Sequence, residues 1–209
     1  ANIVRVTCTS REMTSSAESL CVIHSCDFDS VEVREAGGKV IFQTEKMSVH
    51  FDRTAETISF FDGVGEWFLG ESDSPREMTP VEFAGEKLFQ LRQGFRLAPD
   101  DGLFGLGQFQ DGVMNHRGKE VVLVQANKIA VVPFLVSSRG YGILWDNYSK
   151  TIFHDDKKET YFLSEAGAGI DYYVILGKNL DDVIRGYRLL TGESPLFGKW
   201  AYGYWQSKE

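Results

Sequence analysis

The order of polar and apolar side chains predicts short strands. Val31-Glu32-Val33-Arg34-Glu35 alternates, Gly37-Gly38 supplies two residues tolerant of positive φ, and Val40-Ile41-Phe42 returns, which together predict a hairpin. Met47-Ser48-Val49-His50-Phe51-Asp52 places Met, Val and Phe on one face and Ser, His and Asp on the other, and Thr57-Ile58-Ser59-Phe60 repeats the pattern after a polar turn. One face is core and the other is wet. Antiparallel sheets of this kind bury their apolar side on a second sheet, so the expected fold is all-β, an antiparallel β-sandwich.

Further strands are expected at residues 87–92, 121–124, 130–136, 141–145 and 172–176. Several of these runs are apolar at nearly every position, as in strands buried on both faces. Pro133 demotes its own run to an edge or a bulge. Residues 71–80 carry charge and two prolines and are read as a loop, with no domain boundary there. One segment reads as a helix: Asn179 caps it, Asp181 and Asp182 complement its dipole, Leu180, Val183, Ile184, Tyr187 and either Leu190 or Thr191 form its stripe, and Gly192 ends it. After Pro195 comes Trp200-Ala201-Tyr202-Gly203-Tyr204-Trp205, an aromatic strand that normally has something after it to pair with. The expectation is a chain cut as a second unit begins.

Composition narrows the function. The 209 residues carry a net charge of −8, and 15 Phe, 8 Tyr and 4 Trp exclude disorder. Basic residues are scattered among carboxylates, which argues against nucleic acid. No stretch reaches the ~20 apolar residues of a spanning helix, so no membrane role is expected. The N-terminus shows no export signal, so the chain is cytoplasmic or has lost one. Cys8, Cys21 and Cys26 are an odd number; a Cys21–Cys26 bridge is open, and a zinc site lacks a fourth ligand.

Chemistry is sparse. The pairs Asp100-Asp101, Asp155-Asp156 and Asp181-Asp182 fall at turns or a helix start and are read as turn formers and caps. His24, His50, His116 and His154 are too dispersed for a metal, and no metal or cofactor is expected. Gly105-Leu106-Gly107 lacks the rest of a dinucleotide fingerprint and points to close backbone packing. Residues 104–120, leading into Gln125-Ala126-Asn127-Lys128, are dense in amides and glycines, which suits either a carbohydrate site or side chains closing loops over a sandwich.

Four ordered motifs carry a resemblance: Phe104-Gly105-Leu106-Gly107-Gln108, Asn115-His116-Arg117-Gly118, the stretch from Pro133 to Asn147, and Tyr187-Arg188-Leu189-Leu190-Thr191-Gly192 with the stretch from Lys199 to Glu209. Together they resemble glycoside hydrolase family 31, in its α-xylosidase and α-glucosidase members. The resemblance implies that residues 1–195 form the N-terminal sandwich, of the galactose-mutarotase-like kind. It also implies that the helix leads into residues 196–209 as the truncated start of a catalytic (β/α)8 barrel, with 200–209 its first strand. The family's catalytic Asp pair lies further into the barrel, so no catalytic residue is expected here and the chain alone should be inactive.

The resemblance further implies a loop reaching the sugar pocket, matched at Val124-Gln125-Ala126-Asn127; many members carry Asp where Asn127 stands. Expected substrate-binding residues are Gln125, Asn127, Trp205 and Gln206, and the expected partners are the chain's own barrel and an α-linked oligosaccharide. The alternative is an autonomous carbohydrate-binding sandwich, with Trp67, Trp145, Trp200 and Trp205 as candidate platforms, although core packing is the expected fate of Trp145 and of the last pair. A mutarotase needs a His and Glu pair in the groove, and the sequence places none.

Overall fold

The computed structural model describes residues 2–10, 19–23, 30–156 and 158–206. His24 and Cys26 lie outside them, and with Cys26 the bridge to Cys21. Strand pairing sorts the described chain into two sheets with antiparallel neighbours throughout. The five-stranded sheet runs β1 (Ile3–Thr9), β14 (Gly169–Leu176), β11 (Tyr141–Trp145), β10 (Ala130–Ser137) and β8 (Leu103–Gln108). The nine-stranded sheet runs β2 (Glu32–Ala36), β3 (Lys39–Gln43), β4 (Met47–Asp52), β5 (Thr57–Asp62), β6 (Trp67–Phe83), β7 (Glu86–Arg96), β13 (Thr160–Gly167), β12 (Thr151–Asp155) and β9 (Glu120–Leu123). The sandwich is therefore as expected.

Alternation along the strands explains where the core sits. On β11, Tyr141, Ile143 and Trp145 point between the sheets beside Phe162, Leu91 and Phe60, while Leu144 points to the opposite face with Phe134, Tyr173 and Ile175. Helix α1 (Leu180–Thr191) covers that second face through Val183 and Leu190. The five-stranded sheet is thus buried on both sides, and all of β11 is buried. This is why its strands read as continuous apolar runs. Each fully buried aliphatic or aromatic side chain contributes on the order of 1.5–3 kcal/mol.

The helix begins and ends where its caps predict. Asn179 accepts from the Asp182 N–H, and Gly192 adopts φ 92 while its N–H donates to the Arg188 carbonyl. It is the described chain's one α-helix, and it is too short to cross a membrane. Pro133 lies in a register shift of β10 between Val131 and Leu135, so it marks a bulge in an inner strand.

The loop expected at 71–80 is corrected: those residues belong to β6. Pairing with β7 jumps from Glu71↔Phe95 to Arg76↔Gln93, so residues 72–75, including Pro75, bulge out of an otherwise continuous strand. Pro80 is tolerated because β5 pairs with β6 only as far as Gly70, which leaves the rest of β6 with a free edge. Residues 200–206 also differ from expectation. Lys199–Tyr202 form a 3-10 turn, and residues 203–206 form no strand, because among the described residues no strand pairs with them. Trp200 and Trp205 are accordingly 71% and 66% exposed, whereas Trp145 is fully buried.

Candidate functional site

The chain leaves the nine-stranded sheet at β9 and enters the five-stranded sheet at β10, and the connection between them carries Gln125 and Asn127. Ala126 and Ile129 form a bridge closed by a turn at Asn127-Lys128, with Lys128 at φ 69 and the Ile129 N–H donating to the Ala126 carbonyl at 3.2 Å. Gln125 braces this turn. Its Nε2 donates to the Ile129 carbonyl at 2.7 Å, and its Oε1 accepts from the Val131 N–H at 3.1 Å. Asn127 stands exposed at the tip.

A cavity of about 350 Å³ lies at the base of the connection, lined by Gln125, Val131, Pro133, Leu144, Asp146 and Tyr187 among others. Asp146 follows β11 directly and is 8% exposed. Cys21 Sγ donates to its Oδ1 at 3.4 Å, and burial pushes the Cys21 thiol up, which keeps that proton in place. Tyr148, also on the cavity, accepts from the Leu20 N–H at 2.6 Å and donates to Ser19 Oγ at 3.4 Å. Burial raises this phenol as well. Nearby, the Arg5 guanidinium is held further into its charged range, first by its hydrogen bond to Asp171 and more weakly by the Asp146 charge.

The structure brings Gln125 to this cavity and leaves the other three expected site residues apart from it. Asn127, Trp205 and Gln206 do not line it. Trp205 Nε1 donates to the Ala201 carbonyl at 3.2 Å, Tyr204 donates to Gln206 Oε1 at 2.8 Å, and the Trp200 and Trp205 rings lie 5.8 Å apart. Asp146 was missed by the sequence reading. Its one signal is an acid placed immediately after a fully apolar strand.

The amide-rich stretch closes loops. Asn115 Oδ1 accepts from the Leu103 and Arg117 N–H groups, His116 contacts the Gly105 carbonyl at 3.1 Å, and Arg117 pairs with the buried Asp155 at 3.0 Å. The Gly118 N–H and the Thr160 hydroxyl also donate to Asp155. Asp101 accepts from Ser137, Ser138 and Tyr141. Both acids are therefore buried structural centres and more than turn formers. A His and Glu pair does exist: His154 Nδ1 lies 3.2 Å from Glu120 Oε2 on neighbouring strands β12 and β9, with Glu120 largely exposed. Among the described residues no group of three or more His, Cys, Asp or Glu is placed to hold a metal.

Comparisons with known proteins agree on one relationship. The profile of the glycosyl hydrolase 31 N-terminal galactose mutarotase-like domain matches residues 1–154. An α-xylosidase of Saccharolobus solfataricus is 38% identical across 100% of this chain and 29% of its own length. Alpha-glucosidase 2 of Bacillus thermoamyloliquefaciens is 26% identical across 99% of this chain and 27% of its own length. The crystal structure of a GH31 α-xylosidase from Xanthomonas citri shares the fold, with a TM-score of 0.92 at 22% identity, over 99% of this chain and 39% of that one. The chain thus spans well under half of each of these proteins.

Proposed function

The chain belongs to glycoside hydrolase family 31, as its N-terminal galactose mutarotase-like domain, and from that membership we propose that it is the non-catalytic sandwich of a retaining α-glycosidase. The observation that carries this reading is 38% identity to an α-xylosidase along the whole chain, which supports xylosidase over glucosidase as the parent activity. In the complete enzyme a barrel carboxylate attacks the anomeric carbon, an acid protonates the leaving oxygen, and water releases the sugar. The sandwich, residues 1–195, packs on the barrel, which residues 196–209 begin.

Two features support this. Leu196, Phe197, Trp200, Tyr202, Tyr204 and Trp205 are all exposed within ten residues, an aromatic-rich segment suited to burial against another body. The turn at Asn127 projects from a braced base, so its amide can reach a sugar hydroxyl while Gln125 holds it in place, and Trp205 and Gln206 approach from the barrel side. Assay of this chain and of a form extended through a barrel on nitrophenyl α-xyloside and α-glucoside tests the reading. The extended form should cleave the xyloside faster, and the 209-residue chain should cleave neither. Turnover by the short chain would overturn the proposal.

A further inference from the structure

Strand β2 ends the nine-stranded sheet, and every residue in it is exposed. It pairs with β3 across the two-residue turn Gly37-Gly38, and the phase of β3 is fixed by two flanking bonds, from the Thr44 N–H to the Met47 carbonyl and from the Arg53 N–H to the Gly38 carbonyl. Glu32, Arg34 and Ala36 therefore turn their backbone groups towards β3. The N–H and C=O groups of Val31, Val33 and Glu35 point outward, and among the described residues no strand meets them.

Side chains narrow what fits there. Val33 lies opposite Phe42, Phe42 opposite Val49, and Val49 opposite Phe60, so one apolar row runs from the core to the sheet edge. Exposure rises along it, from 0% at Phe60 and 7% at Val49 to 41% at Phe42 and 57% at Val33. The other face of β2 carries Glu32 and Arg34. Glu35 and Lys39 pair with Arg53 and Asp52, whereas Glu32 and Arg34 form no ion pair among the described residues.

We propose that β2 is a self-association edge, on which a second copy of this chain pairs antiparallel about a two-fold axis at Val33. Centred there, Val33 meets the partner's Val33 in a hydrogen-bonded pair, Val31 meets the partner's Glu35, and Glu32 meets the partner's Arg34 at a close non-hydrogen-bonded position, with each contact repeated by the symmetry. The apolar rows of the two copies then join into one. Axes at Glu32, Arg34 or Glu35 set like charges opposite each other, and one at Ala36 meets the turn, so within β2 only the Val33 axis fits. Pairing covers both edges and closes at a dimer. It needs neither Asn127 nor a barrel, and it stands or falls separately from the glycosidase reading.

Sedimentation equilibrium of the 209-residue chain, loaded from about 10 µM to about 500 µM, tests it. The expected result is a reversible approach to twice the 23.5 kDa of one chain, with no larger species. Arg34→Glu should weaken association at least tenfold, and adding Glu32→Arg to it should restore association, because the exchange brings opposite charges together again. Val33→Pro should abolish the dimer and keep the hairpin, since the N–H it removes faces outward. Circular dichroism and melting temperatures matching the parent chain confirm that the variants fold. A monomer at every loading, growth beyond a dimer, association unchanged by R34E, a loss that the charge exchange leaves unrestored, or a dimer that depends on Trp200 instead, being lost with Trp200→Ser, would each overturn it.

Discussion

Tyr172 on β14 donates its hydroxyl hydrogen to Glu71 on β6 at 2.9 Å, a bond between the two sheets in the interior of the sandwich. Glu71 stands at the start of the β6 bulge and is fully used: it also accepts from the Ile58 N–H at 2.7 Å, from Gln93 Nε2 at 3.2 Å and from the Arg76 guanidinium at the bulge's far end. One carboxylate thus fixes the bulge, the β5–β6 pairing and the facing sheet. Tyr172→Phe removes one donor and should destabilise the chain by about 1–3 kcal/mol. Glu71→Ala removes four hydrogen bonds and leaves the half-buried Arg76 guanidinium without its carboxylate, so it should cost more, about 3 kcal/mol. Urea denaturation of both variants checks the order, and equal losses would contradict it.

The same bond has a signature in alkali. Burial first, and then the Glu71 charge, hold the Tyr172 phenol well above its ordinary range; burial and Asp101 do the same for Tyr141, and Tyr173 is pushed up to about 12 by burial and Asp171. The folded chain therefore keeps protons that the unfolded chain loses above about pH 10. This contribution is fully present below that pH and is lost as pH rises towards the folded values. Urea midpoints measured from pH 8 to pH 11 should fall from about pH 10 upward, less steeply in Y172F. A flat profile would rule the account out.

Local chemistry made part of this fold legible. The β2–β3 turn at Gly37-Gly38 and the caps Asn179 and Gly192 act within a few residues, so their strands and helix followed from the sequence. The bulge at 72–75 did not, because Pro75 and Pro80 are tolerable only where β5 has stopped pairing with β6. The cavity at Asp146 draws on the segments of Cys21, Gln125, Pro133, Asp146 and Tyr187, and no window of sequence contains that arrangement. The fate of Trp200 and Trp205 was hidden for a related reason: an apolar run reads as buried whether or not a partner strand lies beside it.

Close backbone approach at Gly107 gives a sharper prediction. Gly107 has φ 118, and a Cβ there would meet the Ala130 carbonyl oxygen at 2.0 Å. Gly107→Ala therefore combines a conformation that side chains avoid with a collision against the backbone of β10, the inner strand on which β8 pairs. A loss of at least about 3 kcal/mol is expected. By contrast, a Cβ at Gly112, also at positive φ, meets nothing within 4 Å, so Gly112→Ala should cost only about 1 kcal/mol. Thermal melts of the two variants should separate clearly, and similar melts would refute the packing argument.

Gln125 and Asn127 sit two residues apart and should respond to substitution in opposite ways. The Gln125 amide makes two hydrogen bonds across its turn, to the Ile129 carbonyl and from the Val131 N–H, so Gln125→Ala should cost about 1–2 kcal/mol and loosen the whole connection. Asn127 is exposed at the tip, and Asn127→Ala should leave stability within about 0.5 kcal/mol. In a form extended through the barrel the order should reverse for a reason other than folding. If Asn127 bonds a sugar hydroxyl, its loss lowers kcat/KM about five- to twentyfold at unchanged melting temperature, the range of one hydrogen bond. Restoring the family's alternative, Asn127→Asp, keeps an acceptor at the same place and should recover most of that activity. A drop in melting temperature with Asn127→Ala, or activity unchanged in that variant, would remove Asn127 from the sugar pocket and leave the turn a purely structural feature.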